Sequence, residues 1–381
     1  MIEAFWLSPW HRHQPAADAW PLTAGGPPTI RSLFQKETCK IVIQNLADHL
    51  NQPLTLGGKT IPCRLVMAPM TQLGHVAHRR LVAAYGGFGL LFSEMCAARR
   101  LPHENRKLSA CFKWDPGEVG HLVWQIIGSE PAEMAAGARR IEQEGFFGVD
   151  INCSCSMTAI CRRNWGAALL RSPERAFRMV AAVRKAVEIP LFVKFRTGWH
   201  DDPRHACEMA KGFQEAGADA LTFHPRVAPD RRSRPPKWAY IAAVKRSVSI
   251  PVFGNGNLFS PRDGLKMIET TACDGLSVGR MAIARPWLFA QWTRGFQPSE
   301  DIYRTTARRL AELLDHHFDA RRALRRYKRF MQYFAANFRF GHGLYGKVAN
   351  LESLPEVAAV VDRFLETPPE LNPRPNLNLF I

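Results

Sequence analysis

Between about residues 53 and 295, short apolar runs rich in β-branched residues alternate with amphipathic stretches. This texture predicts repeated βα units around a parallel sheet. Eight candidate strands follow one another: RLVMAPM (64–70), GLLFSEM (89–95), LVWQIIG (122–128), GVDINC (148–153), PLFVKFR (190–196), ALTFHPR (220–226), PVFGNGN (251–257) and GLSVGR (275–280). Between them, PERAFRMVAAVRKAV (173–187) and PRHACEMAKGFQEAG (203–217) repeat apolar residues at three- and four-residue spacing, as helices do. Ser172 before Pro173 reads as a helix start, and Gly217 as a stop.

Alternation alone fits an open doubly wound sheet as well as a closed barrel. The polar residues separate the two. Glu94, Gln125, Asn152, Lys194 with Arg196, His224 with Arg226, Asn255 and Arg280 gather at the C-terminal ends of nearly every strand. An open sheet collects its site at one switch point, whereas a TIM barrel draws residues from many strands onto one face. The expected fold is therefore α/β, a TIM (β/α)8 barrel over 49–297.

Beyond 298 the β pattern stops and two arginine-rich helical stretches follow. Tyr327, Phe330, Met331, Phe334 and Phe338 fall on one helical stripe, which predicts a small helical domain over 298–366 and an irregular tail over 367–381. Residues 1–48 begin with a Trp-, Pro-, Ala- and Gly-rich stretch without a sustained period, and are read as a partly disordered leader.

Of 381 residues, 46% are hydrophobic and 22% charged, which excludes a disulfide-stapled miniprotein and a disordered chain. Lys and Arg outnumber Asp and Glu by 51 to 34, a net charge of +17. That balance fits a polyanionic partner such as nucleic acid, and equally a generally basic surface. No apolar run is long enough to span a membrane and no secretory leader stands at the start, so a soluble, cytoplasmic protein is expected. The nine cysteines are scattered without zinc-ribbon spacing and read as reduced thiols.

Four features carry candidate chemistry. GNGN (254–257) and VGR (278–280) end the seventh and eighth strands, where small residues let backbone N–H groups approach a phosphate and Arg280 adds a charged fork. Lys194 and His224 close otherwise apolar strands and suit a shared anionic ligand; with Gln125 as amide partner, that combination fits a flavin ring. Cys153, Cys155 and Cys161 lack a fourth ligand for a tetrahedral metal site, so no metal is expected, and a thiol at the barrel mouth would serve as nucleophile or proton donor. Arg321, Arg322, Arg325, Arg326, Lys328 and Arg329, with Arg304, Arg308 and Arg309 before them, suit RNA backbone contact or form a solvated face.

Taken in order, MAPMTQLG, LLFSEM, WQIIGSEP, DINCSC with GAALLRSPE, VKFRTGW, TFHPR with PPKW, FGNGNLFSP and CDGLSVGRMAIARPWLF resemble the dihydrouridine synthases from about 52 to 290. The helical region resembles that family's C-terminal RNA-binding domain more loosely. The resemblance implies an FMN-dependent barrel that uses NADPH to reduce the C5=C6 bond of uridine in RNA, usually tRNA. It implies FMN contacts from Pro69, Met70, Thr71, Gln125, Lys194, His224, Asn255, Gly256, Asn257, Gly279 and Arg280, base contacts from Asn152 and Arg226, and a proton donor at Cys155. The family usually has Gly and Pro on either side of that cysteine, where this chain has Ser154 and Ser156, and Cys153 is the alternative acid. Asn164 and Trp165 replace a usual small pair, and Asn257 stands where an acidic residue is common. An RNA-binding flavoprotein without catalysis and an FMN oxidoreductase of small molecules are the competing readings. Which uridine is reduced, tRNA against rRNA, and the oligomeric state stay open.

Overall fold

The computed structural model describes residues 30–230 and 234–375, with side chains from residue 40 onward. All eight expected strands form: β1 (Leu65–Met67), β2 (Leu90–Phe92), β3 (Leu122–Ile127), β4 (Gly148–Cys153), β5 (Leu191–Gly198), β6 (Ala220–Val227), β7 (Val252–Asn255) and β8 (Gly275–Val278). Each pairs in parallel with the next, β8 returns to β1 through Leu276 opposite Leu65, and the sheet closes into a barrel. After a break at Ser93–Met95, Cys96–Ala97 continues β2 along the upper part of β3.

Strand alternation sorts the side chains into two cores. Outward positions such as Trp124, Ile126, Val149, Ile151, Cys153, Val193 and Phe195 pack with the surrounding helices. Inward positions at the lower end, Val66, Leu90, Phe92, Val123, Phe192, Ala220 and Phe253, form a separate cluster. A hairpin missing from the strand reading, Leu54–Leu56 with Lys59–Ile61, adds Leu56 and Ile61 to that cluster. Two residues further along β3, β5, β6 and β7 the inward series turns polar, at Gln125, Lys194, Thr222 and Asn255.

Helices α1 (Ile30–Leu50), α2 (Val76–Tyr85), α3 (Pro131–Gln143), α4 (Pro173–Ala186), α5 (Pro203–Glu215), α6 (Ala239–Ser247) and α7 (Pro261–Thr271) accompany the strands. Pro173 opens α4, although the Ser172 side chain makes no cap bond, and Gly217 follows α5 in a left-handed conformation (φ 97°). Part of the expected leader is thus helical: α1 covers residues 30–50 and buries Leu46 and Leu50. Residues 1–29 of that leader lie outside the described residues.

The C-terminal region is helical, with α8 (Ile302–His317), α9 (Ala320–Phe334), α10 (Gly341–Ala349) and α11 (Leu354–Phe364). The aromatic stripe of α9 is its buried face: Tyr327, Phe330, Met331, Phe334 and Phe338 are all at most 1% exposed. These helices share a core with the barrel's outer layer. The Tyr85 hydroxyl lies 2.7 Å from that of Thr306, and Trp287 packs edge-on against Tyr85 and Tyr303. No described helix is long and apolar enough to cross a membrane.

Candidate active site

A cavity of about 970 Å³ opens at the C-terminal end of the barrel. It is lined by the β1 loop (Pro69, Met70, Thr71), by Gln125, Asn152, Lys194, His224 and Arg226 from the strands, and by Asn255, Gly256, Asn257, Gly279 and Arg280 from the last two loops. Cys155 stands on its wall. All the residues expected to meet cofactor or base, and Cys155, therefore line one cavity, whereas Cys153, Cys161 and Glu94 do not.

An amide relay organises the floor. Gln125 Nε2 donates to Asp150 Oδ2 at 2.6 Å, and its Oε1 accepts from Asn152 Nδ2 at 2.8 Å. Asn152 Oδ1 then accepts the backbone N–H groups of Ser154 (3.0 Å) and Cys155 (2.9 Å). A buried carboxylate is thus tied through Gln125 and Asn152 to the loop that carries the cysteine. From the other side, the Cys155 carbonyl accepts the Ala167 N–H at 2.9 Å. Gly166, with φ 62°, fits tightly here, since a Cβ on it would stand 2.6 Å from the Cys155 carbonyl oxygen. Side-chain and backbone hydrogen bonds hold a loop that lacks the family's flanking Gly and Pro.

The two thiols are separated by the end of the strand: Cys153 is the last residue of β4, and Cys155 lies in the loop beyond it. Cys153 points outward into the helix-facing core, where burial pushes its thiol far above the ordinary cysteine range. It is absent from the cavity lining. Cys155 lines the cavity and is half-buried.

Lys194 Nζ donates to Ser154 Oγ at 3.0 Å. Burial, with Arg196 nearby, lowers its pKa from the usual lysine range, while burial pushes the Asp150 carboxyl upward against the pull of Gln125 and Lys194. His224 is held well below the ordinary histidine value by burial and then by Arg196, Lys194, Arg226 and Arg280. It is therefore neutral at pH 7, surrounded by cations. At the far wall, Arg226 (3.1 Å) and Arg280 (2.9 Å) both donate to Asn257 Oδ1. The neutral amide oxygen there accepts two guanidinium bonds. Gly256 (φ 117°) passes so close that a Cβ would lie 2.9 Å from His224 Cδ2.

Several contributors escaped the sequence reading. Asp150 anchors the relay, Ser154 holds Lys194, and Tyr333 of α9 lines the cavity beside Arg329. Inward alternation from Asn152 marks Asp150, whereas no local pattern marks Tyr333. Glu94, read among the strand-end residues of the site, and Arg326, read as part of an RNA-facing or solvated face, turn out to be structural. Glu94 faces away from the cavity, accepting from the Gln72 N–H at 3.0 Å and pairing with Arg326 at 3.0 Å. Arg326 is only 4% exposed and also donates to the carbonyls of Gln72 and Ala110, so it docks α9 onto the barrel and does not face RNA. Arg304 and Arg308 are likewise engaged, both with Asp362.

Comparison with known proteins gives the family. The family model "Dihydrouridine synthase (Dus)" matches residues 66–348. The chain belongs to the dihydrouridine synthase family. It is 37% identical to tRNA-dihydrouridine synthase B of Pseudomonas aeruginosa over 236 residues, 62% of this chain and 70% of that protein. Over 322 residues it is 29% identical to probable tRNA-dihydrouridine synthase 1 of Synechocystis, covering 83% of this chain and 90% of that one. Among solved structures, the old yellow enzyme from Trypanosoma cruzi superposes with a TM-score of 0.50 at 13% identity, over 68% of this chain and 96% of that one. The likeness shows a shared barrel fold. The dihydrouridine synthase match runs from β1 into α10, so it takes in both the barrel and most of the helical region.

Proposed function

We propose that this dihydrouridine synthase reduces the C5=C6 bond of uridine in RNA, with tRNA as substrate, FMN as cofactor and NADPH as reductant. The observation that carries the reading is the convergence of Cys155, Lys194, His224, Arg226 and Arg280 on one cationic cavity at the barrel mouth. We assign 49–297 to the FMN-binding barrel and 298–366 to the RNA-binding helical domain.

The residues present fit a flavin nucleotide. The cavity is large enough for a tricyclic ring and is lined by five basic side chains, Lys194, Arg196, Arg226, Arg280 and Arg329, against one carboxylate, Asp230. Its walls hold a Ser277 hydroxyl and an Arg196 Nε that are buried without a hydrogen-bond partner among the described residues. Gly256, Asn257, Gly279 and Arg280 would hold the phosphate, Pro69, Met70 and Thr71 would flank the ring, and Gln125, Lys194, His224 and Asn255 would meet its polar edges. When bound, FMN charged by NADPH supplies the hydride received at C6 of the uracil.

The chain's own residues supply the rest. Cys155 gives its thiol proton to C5, which quenches the carbanion character that hydride addition builds there; solvent then returns a proton to the thiolate. Asn152 fixes the cysteine loop through its two accepted N–H bonds and, with Arg226, orients the base. Lys194 offers a positive charge where negative charge accumulates. A base stacked in an RNA helix cannot enter a cavity of this depth, so the target uridine must be extruded, and the basic helical domain would hold the surrounding backbone. The test is a map of dihydrouridine in cellular RNA with and without the gene. Loss of dihydrouridine at defined tRNA positions is expected; identical maps across all RNA classes would refute the assignment.

A further inference from the structure

The helical domain occupies one side of the cavity only. Helix α9 packs on the short helix Arg280–Ala284 after β8, and α8 packs on α2 after β1. In a ring of eight strands the loop after β4 lies across from β8, and that loop is unusual in this chain. It carries Arg163 and then Asn164 and Trp165, the latter two in place of a small pair, and ends in the turn Gly166–Arg171.

Three arginines there lie over indole rings. Arg99, from the β2 connection, and Arg163 place their Cζ atoms 5.7 and 5.4 Å from the Trp165 ring centroid. Arg171 lies 3.4 Å from the centroid of Trp199, whose Nε1 donates to the Ala167 carbonyl of the same turn. All three arginines are exposed while Trp165 is buried. Among the described residues none of the three pairs with a carboxylate, whereas their neighbours Arg100 and Arg175 pair with Glu104 and Glu130. A guanidinium resting on an aromatic face keeps its in-plane N–H fork free, and its restricted motion lowers the entropy lost on capturing an oxyanion. Beside them Arg99, Arg100, His103 and Glu104 line a second cavity of about 390 Å³, wide enough for a phosphate group.

We propose that Arg99, Arg163 and Arg171 form a second RNA-binding surface, gripping backbone phosphates on the rim opposite the helical domain. It rests on the RNA reading above and adds to it a defined site: the substrate is held from both sides of the mouth, with Trp165 and Trp199 as platforms beneath the arginines.

The experiment is tRNA binding to the full chain by fluorescence anisotropy over a salt series. The triple variant Arg99→Gln/Arg163→Gln/Arg171→Gln should bind about tenfold or more weakly, with the log–log salt slope reduced by about 2, as expected for lost phosphate contacts. The single variant Arg163→Gln should reduce the slope by about 1, which keeps the test valid should the triple variant fold poorly. Lys211→Gln/Lys266→Gln, on the outer helices α5 and α7 beyond their first turns, removes exposed charge away from the rim and should change neither quantity. Wild-type affinity and slope in the rim variants, or equal weakening by the outer pair, would overturn the surface while leaving the enzyme assignment standing. A wild-type chain that binds no tRNA would overturn both.

Discussion

Phe192 and Lys194 sit two residues apart on the same inward face of β5, and they do opposite work. Phe192 is fully buried in the cluster that plugs the lower barrel, edge-on against Phe92. Lys194, also buried, holds an ammonium group against a serine hydroxyl at the cavity floor. The same contrast repeats around the ring, with Val123 below Gln125, Ala220 below Thr222 and His224, and Phe253 below Asn255. One alternation builds both halves; what changes is whether the inward side chain gains from leaving water or loses by it. The lower half stabilises the barrel, and the upper half is a set of desolvated polar groups whose energetic return comes on binding.

Substitutions that exchange the two roles can break this comparison. The largest effect is expected at Cys155→Ala, which should lower dihydrouridine formation by about 10² to 10⁴, the scale of a lost general acid. Cys153→Ala, two positions earlier at the end of β4, should leave turnover close to wild type and shift only the unfolding midpoint. Next, Phe192→Ala should cost about 3–5 kcal/mol of stability, measured by denaturant unfolding, because it opens a cavity in a sealed cluster. Lys194→Met should instead leave the midpoint nearly unmoved, since Asp150 is already biased toward its protonated form. It should weaken FMN binding by about tenfold to a hundredfold, as for a lost hydrogen bond to a charged group of about 1.5–3 kcal/mol.

The pH dependence of FMN binding sharpens the same point. Burial lowers the lysine's pKa to about 8, so Lys194 still carries its charge at neutral pH and loses it earlier than an ordinary lysine as pH rises. FMN affinity measured by fluorescence quenching should fall with increasing pH below the normal lysine range, and the Lys194→Met variant should be flat there. The smallest effect is expected at Ser154→Gly, which restores the residue usual for the family and removes one hydrogen bond to Lys194. Affinity should change by less than about tenfold, in line with about 0.5–1.5 kcal/mol for one neutral partner.

Much of this layout is legible in the chain itself. Each apolar run with a polar residue at its end, such as LFVKFR, reports both a strand and the cavity above it, because the inward series must turn polar where the barrel opens. The short hairpin at 54–61 was missed although Gly57 and Gly58, both at positive φ, are a hairpin signal; three-residue strands give too little alternation to register. Arg326 was misread because an arginine among five other basic residues looks solvated, and its carboxylate partner Glu94 lies 232 positions away. Asp150 was passed over for the same reason in reverse: its partner Gln125 belongs to the neighbouring strand. Contacts between distant segments leave no periodicity to read.

The most direct test of the central claim is nucleoside mass spectrometry of unmodified tRNA incubated with FMN, NADPH and either the wild-type protein or Cys155→Ala. Dihydrouridine should accumulate with the wild type and stay near background with the variant, while both bind FMN and tRNA. Equal product from the two proteins, or none from the wild type, would contradict the account.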